Sequence, residues 1–89
     1  MDSVKYYSKT VAVDPKAARS WEGLGFAALE SQKFSDSIHA FEKLCELDAT
    51  DGARKVRKAG RQVRGLKLPE WDAKFQHLID KCDSKGKER

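Results

Sequence analysis

The chain has 89 residues, enough for one small domain at most, because domains usually run from about 50 to 250 residues. Its composition is 39% hydrophobic and 36% charged, which argues against a disordered chain. The longest uncharged stretch, Gly23 to Leu29, is far shorter than the roughly 20 apolar residues of a transmembrane helix. The net charge of +4 is uneven: residues 1–50 hold six basic and eight acidic side chains, and residues 51–89 hold twelve and six.

The start of the chain and its two cysteines indicate in which cellular compartment the protein is expected. No charged and then apolar leader opens the chain, so we expect no secretory signal and no membrane partner. Two cysteines, Cys45 and Cys82, are too few for a disulfide-stapled miniprotein, and both are expected to be reduced thiols. We therefore expect a soluble cytoplasmic protein, with the nucleus as the alternative location.

Apolar residues recur at steps of three and four along the whole chain, a spacing that predicts helices and no strands. Asp14 is expected to be the N-cap of the second helix and Pro15 its first residue, and a turn at 50–52 is expected to precede the fourth helix. The five predicted helices cover residues 3–13, 16–31, 35–48, 52–67 and 69–82.

A shift of 34 residues superposes similar side chains twice. Tyr7 falls on Phe41, and Phe41 falls on Phe75. A period of about 34 residues in paired helices is typical of tetratricopeptide solenoids.

Residues 18–51 carry the pattern of one repeat: Trp21, Leu24 and Gly25 reproduce W-x2-L-G, and Phe41 stands at the later aromatic position. Ser37 takes the place of the small residue, so Gly25 and Ser37 are expected to let two helices cross closely. This segment resembles a tetratricopeptide repeat. Three positions complete the comparison: Ala28 replaces the family's tyrosine, Phe34 opens the second helix, and Ala49 stands where proline is usual.

The resemblance implies an all-α fold of antiparallel helix pairs stacked as a short tetratricopeptide-like solenoid of about five helices. The chain is expected to begin mid-repeat, as a piece of a longer protein or an excised fragment. In the third unit Trp71 replaces the small residue, so the packing there is expected to differ and the unit to act as a terminal cap. The expected organisation is a domain over 1–83 with a truncated repeat (1–15), a complete repeat (16–51), a degenerate helix pair (52–83) and a polar tail (84–89).

In this family the first helix of each repeat lines a concave groove. The resemblance therefore implies a protein–protein interaction module, part of a scaffold, adaptor or co-chaperone. Its partner is expected to be a protein segment that combines acidic and apolar residues. Phe26 is the expected apolar anchor, although a preceding helix could equally cover it. Gly23 and Ala53 depart from the family's carboxylate clamp, which is not expected here. The expected binding residues are Arg19, Glu22, Phe26, Glu30, Arg57, Arg61 and Arg64.

The segment from Gly52 to Leu68 holds seven basic side chains and no acidic one. Three interpretations of this segment are open. It could be the solvated face of a capping helix, a contact surface for an acidic peptide, or a site for nucleic acid or another polyanion. Nucleic acid is the least favoured, because no aromatic residue interleaves the cations to stack on bases. The open N-terminal end is also expected to promote self-association, through apolar surface on Val4, Tyr7 or Trp21.

No motif in the chain indicates catalysis, and neither an enzyme activity nor a cofactor is expected. His39 and Cys45 have five residues between them, and His77 and Cys82 have four, which are poor spacings for structural zinc. Buried structural cysteines and surface histidines are the favoured interpretation.

Overall fold

In the computed structural model, which describes residues 3–14 and 16–87, all regular elements are α-helices. The expected all-α class with five helices is confirmed. Each described helix is too short or too polar to serve as a membrane-spanning segment. The helices are α1 (Ser3–Val13), α2 (Ala18–Glu30), α3 (Phe34–Leu47), α4 (Ala49–Gly65) and α5 (Pro69–Lys87).

The start of α2 differs from the prediction. Its N-cap is Ala17, which makes no capping hydrogen bond through its side chain. Asp14 instead accepts a hydrogen bond from the backbone N–H of Lys16, at 3.2 Å, and so stabilises the turn before the helix. The expected cap at Asp14 is therefore wrong, and Pro15 lies outside the described residues.

The junction between α3 and α4 also differs from the prediction. Asp48 alone separates the two helices, with an extended backbone (φ −149°, ψ 91°), and its side chain accepts a hydrogen bond from the backbone N–H of Asp51 at 3.1 Å. The expected turn at 50–52 is thus helical, and the expected boundary between residues 51 and 52 falls inside α4. Gly52 permits this arrangement, since a Cβ there would lie 2.8 Å from the Cα of Cys45.

Both helical hairpins turn in the same way. Gln32 (φ 61°) lies two residues after the end of α2 and two before the start of α3. Lys67 (φ 58°) has the same relation to α4 and α5. A left-handed residue just beyond a helix end lets backbone N–H groups reach back to the last carbonyls. The two hairpins therefore repeat in backbone geometry. At the far end, α5 continues to Lys87, so residues 84–87 of the expected tail are helical.

The crossing of α2 and α3 follows the prediction. The hydroxyl of Ser37 donates a buried hydrogen bond to the carbonyl oxygen of Gly25, at 2.8 Å. A Cβ on Gly25 would lie only 2.7 Å from the ring of Phe41, which is fully buried. Trp21 and Leu24 are also buried beside this crossing. The small residues set the helix spacing and the large ones fill the space around the crossing.

The hairpins stack in two layers, with α2 and α4 in one and α3 and α5 in the other. Ala59 and Phe75, both fully buried, belong to the core of the second hairpin. Trp71 instead packs its ring on that of Phe34, with centroids 5.3 Å apart. The bulky residue in place of the small one therefore joins the two hairpins.

Cys45 and Cys82 form a disulfide between α3 and α5, with their Cα atoms 5.6 Å apart. Both residues are buried, as expected, but the expectation of reduced thiols is wrong. The number of cysteines could not reveal the pairing, because 37 positions separate them in sequence and only the packing of α3 beside α5 brings them together.

The helix at the N-terminal end, α1, buries only part of its apolar surface against the rest of the fold. In the described part of the chain α1 packs on α2 alone, with Val11 buried against the core. Trp21 is buried, contrary to one option in the prediction, whereas Tyr6 and Val13 are 57% and 87% exposed. Tyr7 is half-buried, and the side chain of Val4 lies outside the described residues.

Candidate partner-binding surface

The outer side of α4 presents its positive charges to solvent. Val56, Ala59 and Val63 are fully buried on the inner side of the same helix. The opposite side borders a shallow depression of about 540 Å³. Five cations line it, and we call them the α4 cationic face: Arg54, Lys55, Arg57, Lys58 and Arg61.

Two of the expected residues of α2, Glu22 and Phe26, contact this face. Arg19, Glu22, Phe26 and Glu30 follow one another at steps of three and four, so they form one stripe along α2. The carboxylate of Glu22 pairs with the ammonium of Lys55 at 3.0 Å, which fixes α2 against α4. Arg19 and Glu30 are exposed at the two ends of the stripe.

Phe26 occupies the middle of the stripe and is half-buried. Its ring meets that of Phe41 edge-on, with centroids 5.1 Å apart and planes at 81°. The ammonium of Lys58 lies 5.6 Å from the ring centroid of Phe26, within the range of a cation–π contact. The ring is thus anchored in the core, while part of it remains at the surface next to the α4 cationic face.

Two of the expected arginines face a different neighbour. Arg57 donates two hydrogen bonds to the carboxylate of Asp83, at 2.7 and 2.6 Å. The Nε of Arg64 lies 3.6 Å from a carboxylate oxygen of Asp72, whose other oxygen is buried without a hydrogen-bond partner. Both arginines therefore join α4 to α5, and Arg57 does so while it also lines the α4 cationic face. Asp83 was not expected as a partner because it lies 26 positions after Arg57 in the sequence.

Three cations of the face keep no acidic partner within the described part of the chain. Arg54, Lys58 and Arg61 are exposed at steps of four and three along α4. Arg61 was an expected binding residue, whereas Arg54 and Lys58 were expected only as members of the basic segment from Gly52 to Leu68. A helical projection of the segment places both on the side of α4 opposite to its buried stripe.

Other site chemistries receive no structural support. Tyr7 of α1 occupies the space where a side chain at position 23 would point, so the place of the clamp asparagine is filled. Among the described residues, no three His, Cys, Asp or Glu side chains are grouped to hold a metal ion.

A comparison with protein-family models, with curated proteins and with solved structures gave no significant match. The function of the chain therefore has to be inferred from its own residues and contacts.

Proposed function

We propose that the chain is a tetratricopeptide-type helical-repeat module that binds an acidic segment of a partner protein along the α4 cationic face. The observation that carries this proposal is the position of Phe26, an apolar ring half-exposed beside cations that have no acidic partner among the described residues. An apolar anchor bordered by charge is the usual composition of a peptide-binding surface. A scaffold, adaptor or co-chaperone would use such a module.

The charges favour an acidic ligand. Arg54, Lys58 and Arg61 extend along about 10 Å of α4, at 1.5 Å per residue. Carboxylates spaced along an extended or helical segment would complement this row. Exposed charge pairs of this kind accelerate and orient the encounter more than they tighten the final complex. The apolar contact with Phe26 would then slow dissociation.

The repeat assignment rests on two features of the fold. The Gly25–Ser37 crossing uses the small residues that the tetratricopeptide pattern places there. The left-handed residues Gln32 and Lys67 occupy equivalent places in the two hairpins. Both features are consistent with a chain built from repeated helix pairs.

We expect substitutions at the two parts of this surface to act on different rate constants. The probe is a fluorescein-labelled glutamate-rich peptide with one central Leu-Phe pair. Arg61→Glu should lower its association rate about tenfold at low salt, because it removes a cation and adds a repulsive charge. Phe26→Ala should raise its dissociation rate about 30-fold, since a buried anchor contributes about 2 kcal/mol. Stopped-flow fluorescence gives both constants, and Lys9→Glu on α1 is the control with the same charge change.

The alternative function, binding of nucleic acid or another polyanion, predicts a different response. A 20-nucleotide single strand would bind with steep salt dependence and would be nearly indifferent to Phe26. If Phe26→Ala binds the peptide as tightly as the wild type, the peptide proposal is wrong. Tight binding of the oligonucleotide by both proteins would then favour the polyanion function.

Self-association through α1 is a second proposed property, supported by the exposure of Tyr6 and Val13. We expect sedimentation equilibrium to show oligomers as the protein approaches millimolar concentration, because these two side chains leave apolar surface exposed on α1. Tyr6→Ser/Val13→Ser should stay monomeric, while Leu66→Ser, at a similarly exposed leucine on another side, should behave as the wild type. A monomeric wild type throughout the range would contradict the proposal.

The disulfide bears on the location of these interactions. Disulfides persist mainly in oxidising compartments and are rare in the cytosol. The cytoplasmic or nuclear location stays a prediction, and an oxidised Cys45–Cys82 pair favours an oxidising compartment over both.

A further inference from the structure

On the layer opposite the α4 cationic face, α3 and α5 run side by side in the same direction. Near their first turns the rings of Phe34 and Trp71 pack together at a tilt of 36°, and farther along Cys45 and Cys82 are bonded. Eleven positions separate these two contacts on each helix. At 1.5 Å per residue, the contacts lie about 16 Å apart.

Between these contacts the two helices leave a groove of about 390 Å³. Its accessible apolar surface comes from Ile38 and Ala73, while Leu78, only 2% exposed, lies beneath them in the core. The small side chain of Ala73 leaves the α5 side of the groove shallow. The remaining lining is charged or titratable, with Glu42 on the α3 side and Lys74, His77 and Lys81 on the α5 side.

The α5 side of the groove carries two lysines, whereas the α3 side carries a single carboxylate. Lys74 is partly engaged, with its ammonium 3.8 Å from Glu70 and 4.3 Å from the ring centroid of Trp71. Lys81 is exposed and has no acidic partner in the part of the chain that the structure describes. The α5 side of the groove therefore offers positive charge to a ligand.

We propose that this groove binds a short amphipathic helix of a partner protein, with its apolar side chains against Ile38 and Ala73 and its carboxylates facing Lys81 and His77. A span of about 16 Å accommodates three helical turns. A groove between two helices accepts the ridge of a third in the ordinary way of helix packing. This site is independent of the α4 cationic face, because it lies on the other layer of the fold.

The disulfide forms one end of the groove. A small cavity of about 10 Å³ beside the bond is lined by both cysteines and shares Glu42, Leu78 and Lys81 with the groove. Reduction would leave only noncovalent contacts to hold α3 against α5 at this end. The affinity for the helix should therefore be higher in the oxidised protein than in the reduced protein.

The charge preference can be tested with two labelled 14-residue helical peptides that share one leucine face and carry either glutamates or lysines on the flanks. We expect the wild type to bind the glutamate peptide about tenfold more tightly in fluorescence anisotropy, and His77→Glu/Lys81→Glu to reverse the preference. Equal affinity of the wild type for both peptides would overturn the proposal.

The site of binding is tested by filling the groove. Ala73→Phe should weaken binding of the glutamate peptide at least about tenfold without lowering the melting temperature, because position 73 is exposed. Ala12→Phe, at an exposed alanine of α1, is the matched control. Arg61→Glu distinguishes the two surfaces: it should not affect this peptide. If Arg61→Glu abolishes binding and Ala73→Phe does not, the peptide lies on the α4 cationic face and the groove proposal is wrong.

The dependence on the disulfide is tested with the same peptide. The Cys45→Ala/Cys82→Ala variant, checked for helicity by circular dichroism, should bind about fivefold more weakly than the oxidised wild type. Adding reductant to the wild type should have the same effect, and the variant should not respond to it. If the affinity for the peptide is unchanged in reductant, the disulfide is not needed to keep α3 and α5 in the arrangement that binds the peptide.

Discussion

Reduction of the Cys45–Cys82 disulfide is expected to lower the free energy of unfolding by about 4 kcal/mol. In the chain-entropy description, the effect grows with the length of the closed loop. The sequence separation of 37 lies between the cases of 15 residues (about 3 kcal/mol) and 100 residues (about 4.7 kcal/mol). A domain of this size has a total stability of about 5–15 kcal/mol, so this is a large fraction. Urea unfolding with and without reductant measures the difference.

The Cys45→Ala/Cys82→Ala variant is the control for this measurement. Its unfolding midpoint should be low and should not respond to reductant, since it has no bond to break. A wild type whose midpoint is the same in both conditions would contradict the expected role of the bond. Because both cysteines are buried, the bond is poorly accessible to reductant. The reduced sample must therefore be fully reduced before urea is added, and alkylation followed by mass spectrometry checks this.

Gly25→Leu is expected to cost about 3 kcal/mol or more of unfolding free energy. A Cβ at this position would already lie 2.7 Å from the ring of Phe41, and that ring is fully buried and cannot move into free space. The added side chain would force α2 and α3 apart and break the hydrogen bond from Ser37 to the Gly25 carbonyl. For a domain of 60–100 residues, 1 kcal/mol corresponds to about 4–8 °C, so the melting temperature should fall by more than about 10 °C.

Gly65→Leu is the matched control. Gly65 is the last residue of α4, and a Cβ there would meet nothing within 4 Å. This variant should melt close to the wild type, or slightly above it, because leucine favours the helix more than glycine does. If Gly25→Leu also melts within a degree or two of the wild type, the close crossing of α2 and α3 does not contribute the expected amount of about 3 kcal/mol to the free energy of unfolding.

Local patterns in the sequence were sufficient for the helices and for one crossing. The spacing of apolar residues identified five helices, because each helix buries a stripe that repeats every 3.6 residues. The Trp21, Leu24 and Gly25 motif with Ser37 predicted how α2 and α3 pack, because small residues at a crossing determine how closely two helices approach. Of the expected binding residues, Arg61 is exposed and Phe26, for which exposure and cover were both left open, is half-buried.

The helix ends were less predictable. Asp14 and Asp48 both precede a helix and both have capping side chains, yet only Asp48 caps one. The choice depends on the backbone angles at each junction, which composition does not specify.

The sequence by itself determined the all-α class, the order of the helices and the residues of the first crossing. Only the tertiary structure decided that Cys45 bonds to Cys82, that Arg57 pairs with Asp83, and that a groove opens between α3 and α5. Periodicity reports which side of a single helix is buried. These three features depend on which helices lie side by side and on which residues of the two helices are level with each other. That arrangement is set by contacts between residues far apart in the chain.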